Sequence, residues 1–210
     1  MSVMRLFIAI NFTDETKGQL LALRDELRST CERGRFSAPE NMHLTLAFLG
    51  ECDAVQTASI QAIMGAVEIK PFSISIERVG RFRSGNRKQR VPAQSTADGR
   101  TATEQVSNAT TSGNGQSKSV STWWAGVQSS KPLLELQQGL SEKLFDAGFA
   151  LDKRRYNPHI TLGREVVTDT APWQIQPFGE TVKSIELMLS ERIDGKLAYA
   201  AIFTKENNNK

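Results

Sequence analysis

The chain has 210 residues, 39% hydrophobic and 23% charged, with a formal net charge of +3. That is enough apolar content for one ordinary core, and too little positive charge for a protein that coats polyanions uniformly. No apolar run approaches the roughly 20 residues of a membrane-spanning helix, the short apolar stretch near Met1 is too short for a signal peptide, and Cys31 and Cys52 form no CxxC pair, which suits a reducing cytosol.

Arg5 to Phe12 is a short apolar run that predicts a buried first strand. Thr13 stands where it can cap a helix whose first turn carries Asp14 and Glu15. Leu20, Leu23, Leu27 and Cys31 recur at helical spacing, and Gly34 is the expected stop. Met42 to Leu49 predicts the next strand. Ala54 to Val67 predicts a second helix with Val55, Ile60, Ile63 and Val67 on its apolar side. Phe72, Ile74 and Ile76 alternate with polar residues, the pattern of a half-buried strand.

Ser84 to Val120 differs from the rest: these 37 residues contain no Leu, Ile, Met, Phe, Trp or Tyr. Such a segment cannot bury enough apolar surface to offset the entropy of ordering it. It is expected to be a polar, flexible insertion in a loop of a single domain spanning 1–210. Arg87, Lys88 and Arg90 at its start could hold a polyanion, but a solvated basic loop is the plainer reading.

Beyond it, Ser121 to Val127 predicts a strand on which Trp123 and Trp124 face opposite ways, so at least one is core. Pro132 fits the first turn of a helix with Leu133, Leu136, Leu140 and Leu144 on one stripe, ended by Gly148. His159 to Leu162 begins another strand. Ser184 to Arg192 and Lys196 to Thr204 read as a hairpin around Asp194-Gly195. Interleaved helices and strands with hairpin-like pairs predict an α+β fold with a mixed or antiparallel sheet.

The chain has two histidines, and each is followed two residues later by threonine. Asn41-Met42-His43-Leu44-Thr45-Leu46 matches Asn157-Pro158-His159-Ile160-Thr161-Leu162. Two similar lobes, each giving one strand to a shared groove, explain this repeat economically. In a strand His43 and Thr45 share a face, as do His159 and Thr161, while the intervening aliphatics point into the core. Across a groove, the two units supply two imidazoles and two hydroxyls around one point.

That set suits phosphoryl transfer. The attacking oxygen loses a proton while the leaving oxygen, in line on the other side, gains one. Imidazole titrates near pH 6.5, so both jobs are open to it at neutral pH. The threonines can donate to non-bridging oxygens, and Arg164 is the best-placed cation in sequence. No metal or other cofactor is called for: a zinc site wants three or four ligands, and no third is marked. Phe82, just before the insertion, and Tyr156, beside the basic run Lys153-Arg154-Arg155, are candidates for stacking on a base.

These residues resemble the two-histidine (2H) phosphoesterase superfamily, and within it the RNA 2′,3′-cyclic phosphodiesterases, also called 2′-5′ RNA ligase-like proteins. The resemblance is carried by RLFIAI at 5–10, ENMHLTLAFLGE at 40–51, VGRF at 79–82 and YNPHITLGRE at 156–165, and spans the chain except the insertion. It implies a bilobal fold, two pseudo-symmetric lobes with outer helices around a central groove. It implies hydrolysis of RNA 2′,3′-cyclic phosphate ends to 2′-phosphomonoesters, with His43 as proton donor, His159 as proton acceptor, and Thr45 and Thr161 holding the phosphate. The sequence alone does not distinguish acid from base, because the two motifs are nearly symmetric. The implied partner is an RNA bearing a 2′,3′-cyclic phosphate end, with tRNA halves among the ends some relatives join through a 2′-5′ bond. A monomer in the cytoplasm, away from membranes, is expected. Two other readings stay open: a non-catalytic RNA-end binder using the same groove, and a hydrolase of small cyclic nucleotides.

Overall fold

The structure, a computed structural model, describes residues 3–83 and 120–207. The expected insertion over 84–120, with Arg87, Lys88 and Arg90, lies outside the described residues except for Val120. In chain order the elements are β1 (Met4–Asn11), α1 (Asp14–Ser29), β2 (Arg33–Phe36), a 3-10 turn (Pro39–Asn41), β3 (His43–Cys52), α2 (Ala54–Gly65), β4 (Phe72–Ser73) and β5 (Ile76–Arg83). Then come β6 (Ser121–Val127), α3 (Lys131–Asp146), β7 (His159–Val167), β8 (Trp173–Phe178), β9 (Thr181–Val182), β10 (Ser184–Ile193) and β11 (Lys196–Glu206).

The strands form a four-stranded sheet, β11-β10-β1-β3, a five-stranded sheet, β2-β7-β6-β5-β8, and a small β4-β9 pair. Every pairing among the described strands is antiparallel. This is the α+β, two-lobed arrangement expected. The lobes are not the two halves of the chain, however. The four-stranded sheet takes two strands from each end of the sequence, and β2 leaves the N-terminal half to pair with β7.

Local chemistry accounts for the element ends. Thr13 caps α1, its Oγ1 accepting from Thr16 N, and Glu180 in turn accepts from both Thr13 N (3.0 Å) and Thr13 Oγ1 (2.8 Å). Asp53 and Gln56 close a reciprocal capping box on α2. Gly148, at φ +88°, ends α3 with Phe149 N donating to Leu144 O at 3.0 Å. Asp194 (φ +50°) and Gly195 (φ +77°) both turn left-handed in the β10–β11 hairpin, as a two-residue I′ turn requires.

Three expectations need correction. Helix α1 ends at Ser29, not near Gly34, because the Leu27 carbonyl is taken by Thr30 Oγ1 and the Cys31 thiol. Gly34 belongs to β2, where a Cβ would lie 2.9 Å from Val166 Cγ2. The buried stripe of α2 is Thr57, Ile60 and Met64, with Val55 79% exposed. The Phe72–Ile76 run buries its alternate residues as expected but splits between β4 and β5. The core is continuous across both sheets, with Leu20 and Leu27 from α1 and Leu133, Leu140 and Leu144 from α3 fully buried. Each such side chain is worth about 1.5–3 kcal/mol of transfer free energy. Among the described residues no helix is long and apolar enough to cross a membrane.

Candidate active site

Directly opposite partners in a sheet share a face. On β3 this sets His43 beside Asn11 of β1 and Thr45 beside Ala9. On β7 it sets His159 beside Gly126 of β6 and Thr161 beside Trp124. Leu44, Leu46, Ile160 and Leu162 go the other way, into the core. Strands β3 and β7 adjoin where the two sheets meet, so both faces open on one groove, and the charge of His159 is felt at His43.

Each motif strand then breaks its alternation at the same place. On β3, Ala9 and Ile8 of β1 face Thr45 and Ala47, leaving Leu46 as an extra residue. On β7, Trp124 and Trp123 of β6 face Thr161 and Gly163, leaving Leu162 extra. These β-bulges bury two successive residues, Leu46-Ala47 and Leu162-Gly163, and reverse the phase of the strand beyond them. Phe48 and Arg164 therefore come to the groove face at matching positions in the two lobes. Strict alternation would send both inward. Arg164 is close enough to influence His43, His159 and Tyr199 electrostatically.

Aromatic rings wall both imidazoles. The His43 ring lies 4.7 Å from Phe7 and 5.1 Å, edge-on, from Tyr199. The His159 ring lies 5.1 Å from Phe82 and 6.3 Å from Trp124. Burial among these rings lowers both imidazole pKa values: His43 falls to about 4, with the positive charges of Arg164 and His159 adding to the burial, and His159 falls for the same main reason. His159 Nδ1 lies 2.7 Å from the Asn157 carbonyl. A donated Nδ1–H leaves Nε2 as the acceptor when the ring is neutral. The Asn41 carbonyl favours protonated His43 in the corresponding way, but Nδ1 there closes no hydrogen bond of good geometry.

The threonine carbonyls are held reciprocally. Tyr156, on the segment leading into β7, donates its hydroxyl to Thr45 O at 3.0 Å. Ser37, on the segment leading into β3, donates Oγ to Thr161 O at 2.7 Å and N to Leu162 O at 2.9 Å. Each motif is thus anchored by the chain that delivers the other. This makes Tyr156 a link, its ring packed partly against the core, and not an open stacking surface. Of the basic run beside it, Arg154 turns back onto Asp152, and Lys153 and Arg155 are exposed.

Phe82 is 40% exposed and packs 5.2 Å from Trp124. Trp123 is fully buried, as one of the two indoles was expected to be; Trp124, only 7% exposed, lies on the groove face. Arg78 lies over the Trp124 ring at 5.5 Å. The sequence signal for Trp124 was its neighbours. Gly80 and Gly126 leave room for the indole, and a Cβ on Gly80 would stand 2.3 Å from it. Phe7, Tyr199 and Arg78 carried no such signal and reach the groove only through cross-strand register. Among the described residues no group of three or more His, Cys, Asp or Glu converges.

The chain is similar in sequence and in fold to known proteins. The family model described as LigT like phosphoesterase matches residues 10–93 and 126–193. An RNA 2′,3′-cyclic phosphodiesterase of Archaeoglobus fulgidus is 28% identical over 183 residues, covering 84% of this chain and 85% of that protein. A protein of the same name from Thermotoga maritima is 28% identical over 163 residues, covering 77% and 70%. The crystal structure of Escherichia coli LigT complexed with 3′-AMP is similar in fold, with a TM-score of 0.73 at 22% identity, covering 99% of this chain and all of that one.

Proposed function

Because the chain belongs to the LigT-like phosphoesterases, within the two-histidine superfamily, we propose that it hydrolyses RNA 2′,3′-cyclic phosphate ends to 2′-phosphomonoesters without a metal. The observation that carries the reading is the pair of His-x-Thr units facing one groove from two anchored strands.

In this reading the cyclic phosphate sits between the imidazoles, with Thr45 and Thr161 hydroxyls donating to its non-bridging oxygens and Arg164 offsetting its charge. Water attacks phosphorus opposite the 3′-oxygen. Its proton passes to His159 Nε2, the nitrogen left open by the Asn157 contact. The P–O3′ bond breaks and O3′ takes the proton of His43, giving a 3′-hydroxyl and a 2′-phosphate. Solvent restores both rings. Burial makes the His43 imidazolium a strong acid, and the anionic substrate offsets the cost of charging it. With a 5′-hydroxyl in place of water, the same proton movements form a 2′-5′ phosphodiester. Phe82, backed by Trp124, offers the terminal base a ring surface.

Turnover of a short RNA with a cyclic phosphate end in excess chelator tests the reading. Retained activity supports it. Loss that added divalent metal reverses contradicts it.

Two further results are expected. Since kcat/KM reports the free enzyme's groups, and both imidazoles titrate below their ordinary value, its pH optimum should lie on the acid side of 6.5. The kcat profile should sit at higher pH, because bound phosphate favours the imidazolium. A kcat/KM that still rises above pH 8 would contradict the assignment. Tyr156→Phe leaves the Thr45 carbonyl without its donor, so it should cost about 1–2 kcal/mol in urea unfolding. It should also lower kcat by roughly tenfold as the motifs lose their mutual placing.

A further inference from the structure

Two arginines from different sheets face the groove, beside Glu186, which stands opposite Ala9 on the same face and accepts from Asn11. Arg164 reaches the groove from the five-stranded sheet, and Arg5 reaches it from the four-stranded sheet. The charges of both are felt at the Tyr199 hydroxyl, whose ring lies 5.1 Å from the His43 ring. Neither guanidinium has a carboxylate within ion-pairing distance among the described residues; Glu51 stands opposite Arg5 in register without closing a pair.

Arg5 is also pre-oriented. Its guanidinium lies 5.0 Å from the centroid of the Phe48 ring, which is 47% exposed. Stacking on an aromatic face fixes the planar guanidinium while leaving its N–H groups for an anion. The bulge at Leu46 is what brings Phe48 to this face, at the position where the other lobe carries Arg164. The rows of the sheet give the order along the groove. Phe48 pairs with Phe7, whose ring touches His43, and Arg5 lies one same-face position beyond Phe7 along β1. Arg5 therefore stands past the Thr45–Ala9 and His43–Asn11 rows, on the way out of the groove along β1.

We propose that Arg5, held on Phe48, binds a backbone phosphate upstream of the cyclic end, so that the groove is built for oligoribonucleotides in preference to mononucleoside cyclic phosphates. This rests on the phosphodiesterase reading above and names its substrate class. The phosphate between the histidines is served by the threonines and Arg164; an upstream phosphate is served by Arg5.

The test compares kcat/KM for a mononucleoside 2′,3′-cyclic phosphate with that for a trinucleotide ending in the same group. Wild type should prefer the trinucleotide by tenfold or more. Arg5→Gln should reduce that preference about tenfold and make the salt dependence of trinucleotide kcat/KM shallower by about 0.7 in log–log slope, the loss of one phosphate contact to a single strand. Arg5→Lys, which keeps the charge but not the planar stack, should fall between. A preference that stays within twofold of wild type in Arg5→Gln overturns the subsite and leaves the phosphodiesterase reading standing. A wild type that turns over neither substrate overturns both.

Discussion

His159→Ala is expected to lower turnover of a 2′,3′-cyclic phosphate end by about 10²–10⁴-fold, and His43→Ala by a similar factor, the usual worth of one general acid or base. The two losses differ in kind. Without His159 no group takes the proton of the attacking water. Without His43 the 3′-oxygen must depart unprotonated. A p-nitrophenyl phosphodiester, whose leaving oxygen needs no proton, should therefore recover activity in His43→Ala and not in His159→Ala. The double variant should be little worse than either single one, because the groups act in one step. Thermal unfolding of each variant separates lost chemistry from lost structure. Equal recovery in both variants would reverse or remove the assignment of donor and acceptor.

The largest expected effect on stability lies away from the groove, at Gly179 between β8 and β9. A Cβ there would stand 2.0 Å from the Ile74 carbonyl oxygen and 2.9 Å from its carbon. Backbone, not a movable side chain, must give way. The segment it would displace includes the Ile74 N to Glu180 O bond at 3.0 Å, and Glu180 holds the Thr13 cap of α1. Gly179→Ala should cost about 3 kcal/mol, at the upper end for overpacking, or roughly 6–12 °C in Tm for a chain of this size. Gly139→Ala is the control. Gly139 lies inside α3 with nothing within 4 Å of an added Cβ, so alanine there should stabilise by about 0.5–1 kcal/mol through helix propensity. A Gly179→Ala protein as stable as wild type would mean the β4–β9 corner tolerates the displacement.

Legible and hidden features of the sequence divide along physical lines. Features set by a few neighbouring residues can be read directly: the Thr13 cap, the Asp194-Gly195 turn, the Leu stripe of α3, and the twofold His-x-Thr pattern with aliphatics behind it. Features set by partners distant in sequence cannot. The strand Arg33–Phe36 has two arginines and a glycine in four residues and forms because β7 offers it an edge. The bulges at Leu46 and Leu162 are invisible to a period-two reading, yet they decide that Phe48 and Arg164 face the groove. Arg164 was expected there from its nearness in sequence to His159, but the reason it arrives is the bulge. Tyr156 was expected at a base because it stands near the second motif; its hydroxyl instead reaches across to Thr45. Tyr199 comes within reach of His43 only because β11 is folded back over β10.

End-group analysis of a short RNA that carries a 2′,3′-cyclic phosphate at its 3′ end tests directly which oxygen leaves. Every product molecule should carry a 2′-phosphate and a 3′-hydroxyl, since the 3′-oxygen is the one His43 protonates. A 3′-phosphate product would contradict that placing of acid and base. RNA that binds but keeps its cyclic phosphate would contradict catalysis itself.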